Sequence, residues 1–259
     1  MDGHTEQSIL RVVDSIYENI GEQITIDDMA RTAMFSKFHF TRLFQRATGV
    51  SPGRFLSAVR LQEAKKLLLS TSMSVADISH QVGYSSVGTF SSRFKRSVGL
   101  SPTVYRELGG FTPRIHVDTQ HRGARTAVVT GHIKGEHSDD LSIRRVDEEQ
   151  NPVFLGLFPD TIPQGRPARC TVLERPGPFR LDNVPEGTWH LLVQSVPVGE
   201  VEMLDGETPT VGAHGPIKVR AAMAIGPLEI RLRPMRTIEP PVLLALLDAR
   251  LVALRATAS

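Results

Sequence analysis

Residues 35–55, FSKFHFTRLFQRATGVSPGRF, decide how the first half of this chain is interpreted. Apolar residues recur in this stretch at the spacing of one helix face, which predicts that four of them are buried: Phe40, Leu43, Phe44 and Ala47. Gly49 ends that helix, and Ser51 with Pro52 provides an N-cap and a first-turn proline for the next one. The stretch therefore predicts two consecutive helices joined by a tight turn.

The same stretch also permits an enzymatic interpretation, because residues 49–53 match the G-x-S-x-G string of a hydrolase nucleophile elbow. Such an elbow needs a strand before the serine, whereas a basic amphipathic helix is predicted before Ser51. No Asp and His pair is placed to complete a catalytic triad with this serine. We therefore expect no enzyme activity and assign no catalytic residue.

The pattern occurs twice in the chain. Five of its residues recur fifty positions later as Phe90, Phe94, Gly99, Ser101 and Pro102. Each copy also begins with a capping sequence, residues 25–28 in one and 74–77 in the other. A short capped helix, a tight turn and a longer amphipathic helix form the layout of a helix-turn-helix. We call residues 25–50 the first repeat and residues 74–100 the second repeat, with a linker helix predicted over residues 53–70.

Charge is concentrated in this part of the chain. Residues 31–106 contain twelve Lys and Arg against two acidic residues, a net charge of +10, whereas the whole chain carries +2. A basic block of this size is typical of proteins that bind polyanions. A solvated basic surface without a partner is the alternative that charge alone leaves open.

The predicted second helix of the first repeat presents a polar face opposite its apolar one. Its side chains can donate hydrogen bonds to base edges and to phosphates. These candidate DNA-binding residues are Lys37, Phe38, Thr41, Arg42, Gln45 and Arg46. Any surface helix exposes polar residues, so the repetition of the arrangement is what favours a DNA-binding role. Two such helices must lie about 34 Å apart to enter successive major grooves on one face of B-DNA.

Residues 8–108 resemble the DNA-binding domain of AraC/XylS-type bacterial transcription regulators. The resemblance is carried in order by residues 26–30, 36–44, 49–52, 60–68, 75–78, 82–84, 90, 94–95, 99–102 and 105–106. It implies a double helix-turn-helix over residues 5–108 that binds double-stranded DNA. It also implies that Phe38, Thr41, Arg42 and Gln45 face the major groove.

The second repeat departs from the family pattern where it should contact DNA. Its matching positions are Val87, Gly88, Thr89, Ser91 and Ser92, and the family usually has Arg at the position of Ser92. In this chain the arginine is Arg93, one residue later and so about 100° further around the helix. Arg93 and Arg96 remain candidates for phosphate contacts, which position a protein without specifying sequence. The resemblance therefore implies that the first repeat carries most of the base reading.

After Gly109 and Gly110 the sequence changes character. Short runs rich in branched and aromatic residues alternate with Pro and Gly, at 127–130, 142–146, 153–158, 169–173, 179–181, 188–196, 217–220 and 228–233. Such runs predict an antiparallel β-sandwich over residues 126–236, after a linker at 109–125. A leucine-rich amphipathic helix is predicted over residues 240–256, either capping the sandwich or pairing with a second chain in a homodimer. The expected fold class is α+β in two domains.

Residues 177–193 of this half are similar to the hairpin of transthyretin-like and carboxypeptidase-regulatory-like sandwiches. A strand, a Val-Pro-x-Gly turn and a second strand predict a β-hairpin. Trp189 is expected to pack in this hairpin, with a ligand-stacking role as the alternative. The sandwich is expected to bind a small-molecule effector or a protein partner, or to mediate oligomerisation.

The remaining composition predicts little further chemistry. Cys170 is the single cysteine, which excludes an internal disulfide and predicts either a buried inert thiol or a redox-sensitive one. His116 and His121, and likewise His132 and His137, are five residues apart without supporting ligands, so no metal site and no cofactor are predicted. No apolar run approaches the ~20 residues of a membrane span, and a cytoplasmic location is expected.

The sequence as a whole predicts a sequence-specific DNA-binding transcription regulator. Two alternatives remain at this point: an architectural DNA binder without base preference, and a sandwich that acts as the sensor of a weakly specific DNA-binding protein.

Overall fold

The computed structural model describes residues 3–110, 127–135, 152–195 and 209–243. These residues form two compact units. The helical unit consists of residues 3–110 together with residues 236–243, and the sandwich unit consists of the described residues between 127 and 235.

Seven helices make up residues 3–110. They are α1 (Gly3–Glu18), α2 (Ile26–Thr32), α3 (Lys37–Thr48), α4 (Pro52–Ser70), α5 (Val75–Gln81), α6 (Val87–Val98) and α7 (Pro102–Glu107). Helices α2 and α3 form the first repeat, and α5 and α6 form the second. The predicted linker helix is α4, whose 19 residues span ~28 Å at a rise of 1.5 Å per residue.

The helix ends follow the predicted signals. Thr25 and Asp28 form a capping box at the start of α2, and the Ser74 hydroxyl accepts from the Asp77 amide at the start of α5. Gly49 ends α3 in the left-handed region with φ 80°, and Ser51 is the N-cap of α4 with Pro52 in its first turn. The G-x-S-x-G string is thus a helix end and a helix start, and it lacks the strand that an elbow needs before its serine.

The same aromatic cluster holds each repeat together. In the first, the Phe44 ring lies 5.4 Å from the rings of both Phe40 and Phe55. In the second, Phe94 lies 5.7 Å from Phe90 and 5.5 Å from Tyr105. All six side chains are at most 1% exposed. Leu43 and Ala47, which were predicted to be buried with Phe40 and Phe44, are only half-buried.

The sandwich unit contains eight described strands in two sheets. They are β1 (Ala127–Lys134), β2 (Val153–Phe158), β3 (Arg169–Leu173), β4 (Pro178–Val184), β5 (Gly187–Ser195), β6 (Thr210–Val219), β7 (Ala224–Arg231) and β8 (Arg233–Pro234). The three-stranded sheet has the order β4-β1-β7, and the five-stranded sheet has the order β3-β2-β5-β6-β8.

Both sheets contribute to one apolar core. Val129 of β1, Phe179 of β4 and Ile230 of β7 meet side chains of the other sheet, such as Leu155 of β2 and Val193 of β5. All are at most 5% exposed. Two sheets that share one core form a β-sandwich, as the sequence predicts.

The prediction of a purely antiparallel sandwich is wrong for one pair of strands. Strand β1 pairs antiparallel with β4 but parallel with β7, with Ile133 opposite Ile230. Strands β1 and β7 are distant in the chain, so no tight turn forces them to run in opposite directions. The five-stranded sheet is antiparallel throughout.

The prediction of a hairpin over residues 177–193 is also wrong. Strand β4 belongs to the three-stranded sheet, whereas β5 belongs to the five-stranded sheet and is flanked there by β2 and β6. Both edges of β5 are therefore occupied, and residues 185–186 form a corner between the sheets. Trp189 stabilises this corner, because its Nε1 donates to the Pro185 carbonyl at 2.9 Å and its ring packs on the core.

Three predictions fall wholly or partly outside the described residues. These are the strand at 142–146, most of the linker at 109–125 and most of the helix at 240–256. Residues 240–243, which are described, are neither helix nor strand. Ile238, Val242 and Leu243 in the segment 236–243 are each at most 6% exposed.

Candidate nucleic-acid interface

Helix α3 presents the row of side chains predicted for base contacts. Phe38 is 89% exposed, and Arg42, Gln45 and Arg46 are exposed as well. Thr41 is half-buried, and its hydroxyl donates to the Lys37 carbonyl at 2.9 Å. The row combines an aromatic ring with hydrogen-bond donors, which suits thymine methyl groups, base edges and phosphates.

Lys37 is held within the first repeat. Its Nζ lies 2.8 Å from Oδ2 of Asp27, on helix α2. Both side chains are about half exposed, so this ion pair orients the ammonium group more than it stabilises the fold. On the same helix, one Arg42 amino group lies 3.5 Å from His39 Nδ1, and the rest of the guanidinium remains available.

Asp28 is part of the capping box at the start of α2, in the same repeat. Its carboxylate accepts from the hydroxyl and the amide of Thr25 and contacts Arg31. The Thr25 hydroxyl bond, followed by the Thr25 amide bond, holds the pKa of Asp28 below its usual value. The capping box therefore keeps a negative charge at a helix N-terminus, where the helix dipole favours it.

Helix α6 presents a poorer surface. Gly88, Thr89 and Ser92 are exposed, and Val87 and Ser91 are half-buried. Two of the five positions lack a polar side chain, and none is charged.

The displaced arginine of the second repeat lies against the linker helix. Nη1 of Arg93 donates to the Ser57 hydroxyl at 3.4 Å, while most of the side chain is exposed. Arg96 and Lys95 are exposed one turn further on. The basic groups of α6 therefore lie towards its C-terminal half, where they suit phosphates better than base edges.

Two arginines in the basic block have an internal role that the sequence analysis missed. Arg60 donates from Nε to the Ile20 carbonyl at 3.1 Å and from Nη2 to the Glu22 carbonyl at 2.5 Å. Arg106 donates to the carbonyls of Leu68 at 2.9 Å and Met73 at 2.7 Å. Desolvation lowers the pKa of Arg60, against a smaller opposing effect of Tyr84.

The remaining candidate residues are the cysteine and the histidines. Among the described residues, no three His, Cys, Asp or Glu side chains cluster as metal ligands. Cys170 on β3 is partly exposed rather than buried, and His132 on β1 is exposed. His116, His121 and His137 lie outside the described residues. Within the described ranges, no helix has the length and apolar character needed to cross a bilayer.

Comparisons with known proteins place the helical unit in a family. Residues 29–108 match the helix-turn-helix domain family model. The chain is 38% identical over 88 residues to the probable transcription factor PqrA of Proteus vulgaris, which covers 34% of this chain and 72% of that protein. It is 35% identical over 100 residues to the lactose operon transcription activator of Staphylococcus xylosus, covering 39% of this chain and 36% of the relative.

Solved structures also match. One is an AraC-type transcriptional regulator from Chromobacterium violaceum, at 28% identity and TM-score 0.39, covering 42% of this chain and 96% of that one. Another is the DNA-binding domain of AdpA in complex with a target DNA, at 30% identity and TM-score 0.38, covering 39% and 90%.

The matches cover different shares of the relatives' lengths. The chain spans 36% of the lactose operon transcription activator and 28% and 65% of two further relatives, so the activities of those whole proteins do not transfer directly. PqrA is matched over more than two thirds of its length and above 30% identity. The chain belongs to the AraC-type family of helix-turn-helix transcription regulators.

Proposed function

We propose that this protein is a sequence-specific transcription regulator that binds double-stranded DNA and reads the major groove mainly through helix α3. The observation that carries the proposal is the exposed row on α3, which contains Phe38, Arg42 and Gln45. The opposite face of this helix is buried through Phe40 and Phe44. A rigid helix with an exposed arginine and amide is the form in which side chains read base edges.

The difference between α3 and α6 supports the unequal division of base reading. Arg42 and Ser92 occupy equivalent positions fifty residues apart, and both are exposed. An arginine can make a bidentate contact to guanine, worth about 1–3 kcal/mol of discrimination, and a serine cannot. Helix α6 then contributes chiefly phosphate contacts through Arg93 and Arg96.

The test is selection of bound sites from a random DNA pool by the full chain, followed by titration of variants. We expect Arg42→Ala to lose about 1–3 kcal/mol on the selected site and to relax base preference at one position. Ser92→Ala is the matched control and should lose less than about 0.5 kcal/mol, because a surface serine carries little binding energy.

Two outcomes would contradict the proposal. Equal losses of Arg42→Ala on selected and random DNA would assign that arginine to the phosphates and favour an architectural binder. Recovery of no preferred sequence from the pool would exclude specific reading altogether.

For the sandwich unit we infer a protein-docking or oligomerisation role rather than an internal ligand site. Its described core is closely packed at two positions between strands: a Cβ added to Gly131 would lie 2.6 Å from the Phe179 ring, and one added to Gly212 would lie 2.7 Å from Ile230. A small-molecule effector bound inside the sandwich would need a cavity between the sheets. Light scattering over a range of protein concentrations tests this inference, and a monomer that binds a small ligand in calorimetry would contradict it.

A further inference from the structure

The turns of the two repeats lie in different surroundings. In the first repeat, Met34 occupies the left-handed position of the turn with φ 60° and is 81% exposed. In the second, the equivalent residue is Gly83 with φ 82°, and it is buried between Val82 and Tyr84. The second turn is therefore packed against the protein, whereas the first is open to solvent.

Arg60 of the linker helix lies over the buried turn. A Cβ added to Gly83 would lie 2.5 Å from Nη2 of Arg60 and 2.8 Å from the Ile20 carbonyl oxygen. The Arg60 guanidinium carbon is also 5.9 Å from the centre of the Tyr84 ring. Only a residue without a side chain fits at this position, so the glycine allows the arginine and the turn to approach.

The same arginine holds the loop that follows α1. Its two bonds to the carbonyls of Ile20 and Glu22 join α4 to residues 19–22. This loop contacts the second repeat directly, because a Cβ added to Gly21 would lie 2.7 Å from the Gln81 carbonyl oxygen. Helix α1, which precedes the loop, packs on α2 and α3 of the first repeat.

Tyr84, which lies beside Arg60, connects the second turn to helix α6. The Tyr84 hydroxyl lies 3.2 Å from the Ser57 hydroxyl, which also accepts from Arg93 of α6. The Tyr84 ring packs on Phe90 of α6 at 5.4 Å. Arg60 therefore stands between a loop fixed to the first repeat and a turn fixed to the second.

We propose that Arg60 is a positioning residue that fixes α6 relative to α3 and so sets the half-site spacing that the protein accepts on DNA. This inference rests on the proposed function. Adding one base pair to B-DNA moves a half-site ~3.4 Å along the axis and turns it by roughly 34°, given 10–10.5 base pairs per turn. A rigid pair of helices discriminates against such a shift, and a loosely joined pair does not.

The first experiment measures spacing directly. The first probes are duplexes that carry the site selected from a random pool by the wild-type protein, with the spacer between half-sites changed by −2 to +2 base pairs. The second probes are duplexes that carry only the half-site bound by the first repeat. We expect wild type to lose affinity at least tenfold for a one-base-pair change. We expect Arg60→Met to lose most of this preference while binding the single half-site as wild type does. Arg60→Lys, which keeps the charge but not the two-carbonyl geometry, should be intermediate.

A second pair of variants separates the contact from backbone strain. Gly83→Ala and Gly99→Ala both place a side chain in the left-handed region, but a Cβ added to Gly99 has no neighbour within 4 Å. We expect Gly83→Ala to flatten the spacing profile and Gly99→Ala to leave it unchanged. Equal profiles for the two variants, or an unchanged profile in Arg60→Met, would overturn the proposal.

A measurement without DNA keeps this test independent of the proposed function. Spin labels at Gln45→Cys and Ser92→Cys, in a Cys170→Ser background of the full chain, report the distance between α3 and α6. We expect one narrow distance distribution in the wild-type background and a broad one with Arg60→Met, with retained helical circular dichroism. A narrow, unshifted distribution in Arg60→Met would overturn the proposal even if specific DNA binding is confirmed. If the distance distribution broadens in Arg60→Met but the wild-type protein binds no specific DNA sequence, only the proposed function would be contradicted.

Discussion

The two helix-turn-helix repeats share a core but differ in their surfaces. Phe40 and Phe44 of the first repeat pack with Phe55 of α4, as Phe90 and Phe94 of the second pack with Tyr105 of α7, at nearly the same ring distances. The first repeat has an open turn and a charged recognition helix. The second has a buried turn and a recognition helix poor in donors. The comparison teaches that one folding pattern can keep its core while its turn and its exposed helix face change.

The largest expected effect tests the shared core. Phe44→Ala and Phe94→Ala each remove a ring that is fully buried, and each should lower the free energy of unfolding by about 3–5 kcal/mol. Urea denaturation followed by circular dichroism measures both losses. A loss below about 1 kcal/mol in either variant would show that the two cores are not equivalent.

The next effect tests the difference between the recognition helices. Ser92→Arg gives the second repeat the arginine that the first has at position 42. We expect affinity for the selected DNA to rise about tenfold, or ~1.4 kcal/mol, and the slope of log K against log salt to steepen by about 0.9. Gln7→Arg adds the same charge on α1 and is the control. Equal gains in the two variants would mean that only net charge matters.

A smaller effect tests the turns. Met34 holds a left-handed backbone conformation, which costs a residue with a Cβ roughly 1–2 kcal/mol. Met34→Gly removes that cost but increases the chain entropy of the unfolded state by ~0.4–1 kcal/mol. We therefore expect a net stabilisation of about 0.5–1 kcal/mol in chemical denaturation. A loss of stability in Met34→Gly would show that the Met34 side chain makes a contact the open turn does not reveal.

The smallest effect concerns the cap of α2. Because the folded-state pKa of Asp28 is lowered, its contribution is fully present above the unfolded value of ~3.9 and is lost as pH falls through the lower folded value. We expect Asp28→Asn to be less stable than wild type at neutral pH and the difference to shrink in acid. Urea midpoints measured between pH 2 and pH 7 follow this change. A difference that stays constant with pH would assign the effect to geometry rather than to charge.

Much of the helical unit could be predicted from the sequence, because its signals are local. Gly49, Ser51 and the two capping sequences mark helix ends within a few residues of where they occur. The strands at Val153–Phe158 and Arg169–Leu173 have the predicted bounds. Local composition is sufficient here because capping and alternation act between neighbours in the chain.

Pairings between distant residues could not be predicted in the same way. Alternation in β1 indicates which side chains are buried but not whether β7 runs parallel or antiparallel to it. The role of Arg60 depends on the carbonyls of Ile20 and Glu22, some forty residues earlier in the chain. In the sequence, that arginine is indistinguishable from the basic residues that face solvent.

The segment 236–243 gives the chain an unusual path. The helical unit is built from two separate stretches, with the sandwich unit lying between them in sequence. The chain therefore returns to the helical unit at residues 236–243, after the described strands of the sandwich unit. A single backbone cleavage after Gly110 would separate helices α1–α7 from the buried Ile238, Val242 and Leu243, which would remain on the fragment that carries the sandwich unit.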